Sequence, residues 1–357
     1  MTGPTLHGTV PPRIGSLASG ARDTICDVPG VTVGHCTLDA GEVQTGVTVV
    51  RPHPENLFLW KAPAAVTVLN GMGKSTGLMQ IQEMGVLESP IALTQTFAVG
   101  IGADALIRLA CRENPGLGRD LGSFSPLVFE CYDGPLNDVQ APGLTAAHFE
   151  AALAAAGTEF EQGSVGAGRG MELFGLKGGI GSASRVVDAD GAAATLGCLV
   201  LTNYGMTGCF TLAGHPLGAE LAERLRQRAV SREQGSIIMV LATDACLSDR
   251  QLRRLSLRAG VGLARTGSFF GHGSGDIALA FSTAYRIPHD PGAEMPVVRF
   301  LHESRLNPLF HAAAEVTEQA IVNALFRATT VRGFRGHERA AFLEVFPDWK
   351  ELLGVPR

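Results

Sequence analysis

Uninterrupted apolar stretches along this chain alternate with segments whose apolar residues recur at helical spacing. The stretches at 237–242 and 277–281 have strand length and no polar face, which is typical of strands covered on both sides. Such strands, together with one-sided helices, predict an α/β (α+β) protein of stacked sheets enclosed by helices. Strands are predicted at 31–36, 46–50, 64–69, 127–131, 192–202, 237–242 and 277–281, and helices at 103–112, 144–156, 216–228, 248–263 and 307–328.

The same pattern bears on domain organisation. No internal repeat and no low-complexity linker divides the chain, so we expect a single domain over residues 1–357. Residues 1–24 contain Pro, Gly and Ser with little periodicity, which indicates an arm. The polar segment 229–235 precedes the strand at 237–242, and we expect it to be exposed.

Composition excludes several classes of function. Hydrophobic residues make up 45% and charged residues 18% of the chain, which fits a soluble enzyme with a large core. The net charge of −5 and the lack of a basic block argue against nucleic acid binding. No apolar stretch reaches the ~18 residues of a membrane helix, so no membrane partner is expected. Seven scattered cysteines without a C-x-x-C pattern indicate free thiols and a cytoplasmic location.

Two glycine-rich segments imitate nucleotide-binding loops without their spacing. Segment 70–76 ends like a phosphate-binding loop, but the glycine required five positions before Gly73 is Val68. Segment 163–181 holds eight glycines but lacks the G-x-G-x-x-G order. We interpret the first as a turn that lines a cavity or a subunit contact, and the second as a glycine-rich hairpin. The dispersed histidines form no zinc motif, so neither cofactor nor metal is expected.

A Gly-Ser step, Gly235-Ser236, precedes the strand at 237–242. The chain has seven such steps and most must be turns, but here the serine opens a rigid strand. Attack of its hydroxyl on the Gly235 carbonyl would give an ester, and water would then release chains 1–235 and 236–357. The new α-amine, with a pKa of about 7.7–8.0, would serve as the base for the hydroxyl of the same residue. An ordinary turn that enters a core strand is the alternative.

Five motifs occur in order along the chain. They are DVPGVTVGH (27–35), ECYDGPLND (130–138), GSIIMVLATDACL (235–247), GHGSGDIALAFST (271–283) and TVRGFRGH (330–337). Together they resemble the self-processing β-peptidyl aminopeptidases and L-aminopeptidase/D-amidase/esterases. The resemblance extends from about residue 20 to the C-terminus.

The resemblance implies a fold and an activity. The fold is a four-layer α-β-β-α sandwich related to the ornithine acetyltransferase type. The activity is that of a serine aminopeptidase or amidase that cleaves itself at Gly235-Ser236. It then hydrolyses N-terminal β-, D- or small L-amino acids from small peptides, amides and esters with a free amine, through an acyl-enzyme. The resemblance also implies a homo-oligomer, a tetramer of processed heterodimers.

Further site residues are implied in the same way. Ser274 and Asp276 are implied to assist Ser236, because a carboxylate can polarise a hydroxyl that bonds to the α-amine or hydroxyl of the nucleophile. The spacing of two places their side chains on one face if this piece enters the following strand. Taken without the resemblance, Gly-Ser-Gly-Asp is a turn.

The resemblance also implies two further catalytic residues, Asn203 and Tyr132, and one substrate-binding residue, Glu130. Asn203, at the end of the strand at 192–202, is implied to donate to the oxyanion, a role in which one donor is worth about 3 kcal/mol. Glu130 is implied to bind the substrate ammonium, and Tyr132 to lie near the reacting carbonyl. Taken alone, these residues would form an Asn turn and a solvated acidic loop.

Two other functions compete with this interpretation. An N-acyltransferase of the ornithine acetyltransferase type would share the fold, but its nucleophile is a threonine where this chain has Gly-Ser. A non-catalytic binding protein would remain one intact chain and turn over no amino acid p-nitroanilide.

Overall fold

Two β-sheets lie face to face, and helices cover the outer face of each. The computed structural model describes residues 9–141, 143–225 and 235–354. The strands are β1 Thr32–Ala40, β2 Val43–Arg51, β3 Trp60–Gly71, β4 Val86–Leu87, β5 Ile91–Gln95, β6 Leu127–Cys131, β7 Glu172–Leu173, β8 Leu176–Lys177, β9 Gly179–Ala189, β10 Ala192–Asn203, β11 Thr211–Leu212, β12 His215–Pro216, β13 Ser236–Thr243, β14 Gly275–Ser282, β15 Ile287–Pro288, β16 Val331–Arg332 and β17 Glu338–Arg339. The helices are α1 Leu78–Met84, α2 Val99–Glu113, α3 Ala146–Ala154, α4 Gly218–Arg224, α5 Asp249–Arg265, α6 Asn307–Arg327, α7 Phe342–Val345 and α8 Trp349–Leu352.

The strand order places β13 in the interior of the larger sheet. That sheet runs β15-β3-β14-β13-β10-β9 with β4 beside β3, and the smaller sheet runs β1-β2-β5-β6. Strand β13 is antiparallel to β10 and parallel to β14. Strands β5 and β6 are parallel to each other, so their carboxyl ends lie at one edge of the smaller sheet.

Three apolar clusters hold the layers together. One joins the larger sheet to α5 and α6, one fills the space between the sheets, and one joins the smaller sheet to α2 and α3. Strand β13 contributes to the first two clusters in alternation, with Ile237, Met239 and Leu241 on one face and Ile238, Val240 and Ala242 on the other. The order helix, sheet, sheet, helix confirms the predicted fold class.

Helix starts were predicted with mixed success. Ser248 caps α5 and forms a capping box with Gln251, as its sequence indicates. The sequence Asn307-Pro308 predicts Asn307 as the N-cap of α6, with proline at the first helical position. This prediction was wrong, because the N-cap is Leu306 and no side chain completes the cap. The backbone of Leu306 is already helical after the 3-10 turn Glu303–Arg305, so the chain enters α6 without an extended capping residue.

The glycine-rich hairpin is shorter than predicted, and a long strand follows it. Strands β7 and β8 form the hairpin, and β9 begins at Gly179. A Cβ atom on Gly181 would lie 1.9 Å from the carbonyl oxygen of Ala320 in α6. This glycine therefore allows helix and strand to approach closely, and its presence in the sequence is a packing signal, not a turn signal.

The described part of the N-terminal arm is docked on α6. The Ile14 N–H donates to Gln319 at 2.7 Å, and the buried guanidinium of Arg185 donates to the Ile14 carbonyl at 2.8 Å. Arg185 also lies 3.3 Å from the carboxylate of Glu315.

The polar segment 229–235 was expected to be exposed. Residues 229–234 lie outside the described ranges, and Gly235, the last residue of the segment, is buried.

The structure also bears on disulfides, metal sites and membrane-spanning helices. All seven cysteines are unpaired. The described residues contain no group of three or more His, Cys, Asp or Glu side chains placed to hold a metal ion. In the same ranges, no helix combines the length and the apolar character needed to cross a bilayer.

Asp133, in the segment that follows β6, is a fully buried carboxyl group. Burial raises its pKa from 3.8 to about 7, although the amide of Asn137, which donates at 3.1 Å, opposes the shift. Between these two pH values the folded chain keeps a proton that the unfolded chain has lost. The contribution of Asp133 to the free energy of unfolding therefore falls as the pH rises from about 4 to about 7.

We expect Asp133→Asn to remove this pH dependence. Relative to the unsubstituted protein, the variant should gain stability between pH 4 and pH 8, by on the order of 4 kcal/mol at most. Urea denaturation followed by circular dichroism at a series of pH values measures the change, with Asp138→Asn in the same segment as the control. Parallel pH profiles for Asp133→Asn and the unsubstituted protein would contradict the assignment.

Candidate active site

Ser236 is the first residue of β13 and lies between two neighbouring strands. It pairs with Asn203 at the end of β10 and with Gly275 at the start of β14. Its side chain is buried, and its hydroxyl oxygen accepts a hydrogen bond from the Gly275 N–H at 3.0 Å. Because the hydroxyl is an acceptor in this contact, its own proton can be given to a base.

Gly235 is required for a close backbone contact. A Cβ atom at this position would lie 2.0 Å from the Asn203 carbonyl oxygen and 2.7 Å from the Tyr204 Cα. No ordinary side chain fits there, so glycine is the residue that lets the chain enter β13 beside the end of β10. Lack of space beside the end of β10 is therefore the reason for glycine at this position.

Ser274 and Asp276 lie side by side next to the start of β13. The Ser274 hydroxyl donates to the Asp276 carboxylate at 2.5 Å, and both residues are buried. Strands β13 and β14 are parallel and Ser236 pairs with Gly275. The amino end of Ser236 is therefore level with the Ser274–Gly275 step, where an α-amine at residue 236 would form.

Asn203 is held in one orientation by both ends of its amide. Its oxygen accepts from the Glu172 N–H at 3.0 Å, and its nitrogen donates to the Tyr132 carbonyl at 2.9 Å. Among the described residues, only one of its two amide N–H groups has an acceptor. The Tyr132 side chain is 46% exposed and turns back over the next glycine, where a Cβ atom on Gly134 would lie 2.2 Å from the Tyr132 hydroxyl oxygen.

Glu130 is a buried carboxylate with one donor on each oxygen. Its Oε1 accepts from the Lys74 N–H at 2.8 Å, and its Oε2 accepts from the Thr96 hydroxyl. The side chain is only 3% exposed. Both donors are neutral, and no cationic side chain of the described residues pairs with this carboxylate, so the group is suited to bind a cation.

Thr96 and the Lys74 amide were not singled out from the sequence. Thr96 follows β5, and Glu130 lies one residue before the end of β6, so the parallel pairing of these strands brings the two residues to the same edge. The carboxyl ends of parallel strands commonly carry binding residues. The rule identifies Thr96 only after the pairing of β5 with β6 is known, and the sequence alone does not reveal this pairing.

Cys131 contacts the backbone of β13 at Ser236. Its thiol donates to the Ser236 carbonyl at 3.5 Å and is completely buried. Burial raises its pKa well above the usual range, with the carboxylates of Glu130 and Asp276 acting in the same direction. The thiol is therefore a packing group and not a nucleophile.

The five sequence motifs converge only in part. The segment 330–337 packs on the segment 130–138, since the Phe334 N–H donates to the Leu136 carbonyl at 2.8 Å. The segment 27–35 packs elsewhere, and its His35 contacts Thr48 at 2.9 Å. This motif therefore supports the fold and contributes no side chain to the candidate site.

Comparison with known proteins gives one family and a consistent set of relatives. The family model described as peptidase family S58 matches residues 23–339. The beta-peptidyl aminopeptidase BapA of Sphingosinicella microcystinivorans is 38% identical over 343 residues, which cover 89% of this chain and 85% of that protein.

Solved structures agree with the sequence relatives. A Burkholderia sp. beta-aminopeptidase superposes with a TM-score of 0.85 at 41% identity, covering 94% of this chain and 96% of that one. The L-aminopeptidase D-Ala-esterase/amidase of Ochrobactrum anthropi, a variant of the Ntn hydrolase fold, gives a TM-score of 0.86 at 33% identity over 95% and 97%. These comparisons give no support to an acyltransferase. The chain belongs to peptidase family S58 and is a hydrolase of the aminopeptidase type.

Proposed function

We propose that this aminopeptidase cleaves its own chain at Gly235-Ser236 and uses the new N-terminal serine as its nucleophile. The observation that carries the proposal is the position of Ser236 at the start of an interior strand, with its hydroxyl held by the Gly275 N–H. A nucleophile needs a fixed position and a nearby base. Strand β13 supplies the fixed position, and cleavage supplies the base.

The cleavage proceeds in two balanced steps. The Ser236 oxygen attacks the Gly235 carbonyl, the C–N bond breaks, and the hydroxyl proton passes to the released nitrogen. Water then hydrolyses the ester, which leaves a carboxylate on Gly235 and restores the hydroxyl. The products are chains of 235 and 122 residues (357 minus 235).

The two pieces remain one domain after cleavage. Strand β13 of the second piece pairs with β10 of the first along eight residues, and β14 of the second piece pairs with β3 of the first. Side chains of β13 are buried on both faces. Separation of the pieces would expose this core, so burial of apolar surface holds them together.

In turnover, Glu130 binds the free ammonium of the substrate and Ser236 attacks the acyl carbon. The α-amine takes the hydroxyl proton and passes it to the leaving amine or alcohol. Water, activated by the same amine, then releases the acyl group as a β-, D- or small L-amino acid. A charge-assisted contact between ammonium and buried carboxylate explains why the substrate needs a free amine.

The remaining groups stabilise charge around the reacting carbon. The second amide N–H of Asn203 donates to the oxyanion, because the contacts with Glu172 and Tyr132 fix the amide. The exposed Tyr132 side chain lies near the reacting carbonyl. The Ser274–Asp276 pair accepts a hydrogen bond from the α-amine and so orients its lone pair.

We also propose an assembly and a location for the protein. A homotetramer of processed heterodimers follows from the family resemblance alone. A cytoplasmic location fits the seven scattered, unpaired cysteines.

Ser236→Ala should keep the chain whole and inactive, because the variant has no oxygen to attack residue 235. Mass spectrometry of the purified protein should give one species for the variant and two for the unsubstituted protein. Ser236→Cys keeps a nucleophile and should still be cleaved, while Ser304→Ala, an exposed serine, controls for expression and handling. Cleavage after residue 235 in Ser236→Ala would assign maturation to another protease.

Glu130→Gln should raise KM for amino acid p-nitroanilides about 10- to 100-fold, since a hydrogen bond to a charged group is worth about 1.5–3 kcal/mol. Autocleavage should be unchanged. The control is a p-nitroanilide of the same acyl chain without the amine, whose slow turnover should not respond to the substitution. An equal loss on both substrates would remove Glu130 from amine binding.

A further inference from the structure

Segment 70–76, which imitates a phosphate-binding loop in the sequence, connects the two halves of the candidate site. At one end, the Asn70 amide donates to the carbonyls of Gly271 and Ser274 at 2.7 and 2.6 Å. The Met72 N–H adds a bond to the Ser274 carbonyl at 3.2 Å. These bonds fasten the segment to the turn that enters β14, beside the nucleophile.

At its other end the segment is fastened to β6 and to Glu130. The Lys74 N–H donates to Glu130 Oε1 at 2.8 Å, and the Glu130 N–H donates to the Ser75 hydroxyl at 3.3 Å. Thr76 and Val128 exchange two backbone hydrogen bonds of 2.9 and 3.1 Å. The segment therefore fixes the position of the carboxylate relative to the start of β14.

Gly73 lies between these two anchored ends. A Cβ atom at this position would lie 3.4 Å from Glu130 Oε1 and 3.9 Å from the Gly275 Cα. The Cβ position of Gly275 is in turn 3.1 Å from the Ser236 hydroxyl oxygen and 3.2 Å from the Gly73 Cα. Two residues without side chains thus occupy the region between the carboxylate and the nucleophile.

We propose that Gly73 is a specificity-determining residue. Segment 70–76 sets the spacing between the amine-binding carboxylate and Ser236, and the missing side chain of Gly73 leaves room for the carbon that bears the substrate amine. The inference rests on the proposed roles of Glu130 and Ser236. It adds a residue that selects among β-, D- and L-aminoacyl substrates.

The expected selection follows from the shape of the acyl group. In a β-alanyl substrate the carbon next to the amine is an unbranched CH2 group, and a second carbon separates it from the carbonyl. In an alanyl substrate of either configuration, the single intervening carbon carries both the amine and a methyl group. A methyl group on residue 73, beside Oε1, crowds the branched carbon more than the unbranched one.

The test compares Gly73→Ala with the unsubstituted enzyme on β-alanyl, L-alanyl and D-alanyl p-nitroanilide, which have the same composition. Neither Gly73 nor Gly71 has a left-handed backbone, and the Cβ contacts at both positions are ordinary. We expect kcat/KM for both alanyl substrates to fall about tenfold or more, within the range of about 10- to 200-fold that one methylene commands in a pocket. For the β-alanyl substrate the fall should be less than about threefold.

Gly71→Ala is the matched control, because among the described residues its Cβ atom would contact only Val68, at 3.5 Å. It should leave the ratio of β-alanyl to alanyl turnover unchanged. An unchanged ratio in Gly73→Ala, or the same shift in Gly71→Ala, would overturn the inference. If Gly73→Ala fails to cleave itself, the inference is also overturned, because the space at Gly73 would then be required for maturation and not for substrate selection.

The outcome is distinguishable from failure of the proposed function. If Glu130→Gln leaves KM unchanged for all three substrates, amine binding by Glu130 is wrong and this inference falls with it. If Glu130→Gln raises KM while Gly73→Ala leaves the substrate ratio unchanged, only the role of Gly73 is wrong.

Discussion

The register of β13 is the constraint on which the rest of the site depends. Ser236 faces Asn203 on one side and Gly275 on the other only in the observed pairing. A slip of one residue would turn every side chain of the strand to the opposite face. Because the strand packs into the helix-covered core with one face and into the space between the sheets with the other, both clusters resist such a slip. Core packing along six apolar residues thus positions one serine.

Glycine residues around Ser236 allow close approaches of the main chain. A Cβ atom on Gly235 would clash with the backbone of Asn203, a Cβ atom on Gly275 would lie tightly against the Ser236 hydroxyl, and Gly73 leaves space beside a carboxylate. The same residue type in Gly181 serves only to bring α6 against β9. The high glycine content of the chain therefore reflects close packing of main chain in several places, and only some of these places concern chemistry.

The sequence identified the parts of the molecule whose signals are local. The apolar strand at 237–242 and the capping box at Ser248 can be read from a few neighbouring residues, and both are present. Strand β9 was missed because its glycines resemble turn residues until α6 is seen to lie on them. The contact of Thr96 with Glu130 depends on the pairing of β5 with β6, and no pattern within either strand encodes it. The family resemblance still identified Glu130, because that residue lies in a recognisable motif. It did not identify Thr96, which lies in none of the five motifs.

The contacts also separate amine binding from maturation. Within the described part of the chain, the hydrogen bonds to the Glu130 carboxylate come from Lys74 and Thr96, and neither residue lies near the 235–236 bond in the sequence. In the proposed maturation the carboxylate would therefore be in place before the 235–236 bond breaks, and cleavage would change only the amino end of β13. In the intact chain the nitrogen of Ser236 is an amide without basicity, so it cannot activate the hydroxyl in the way we propose for the α-amine after cleavage. Under this proposal, an amine-binding site that forms before cleavage and a base that forms only on cleavage together restrict hydrolysis to the processed enzyme.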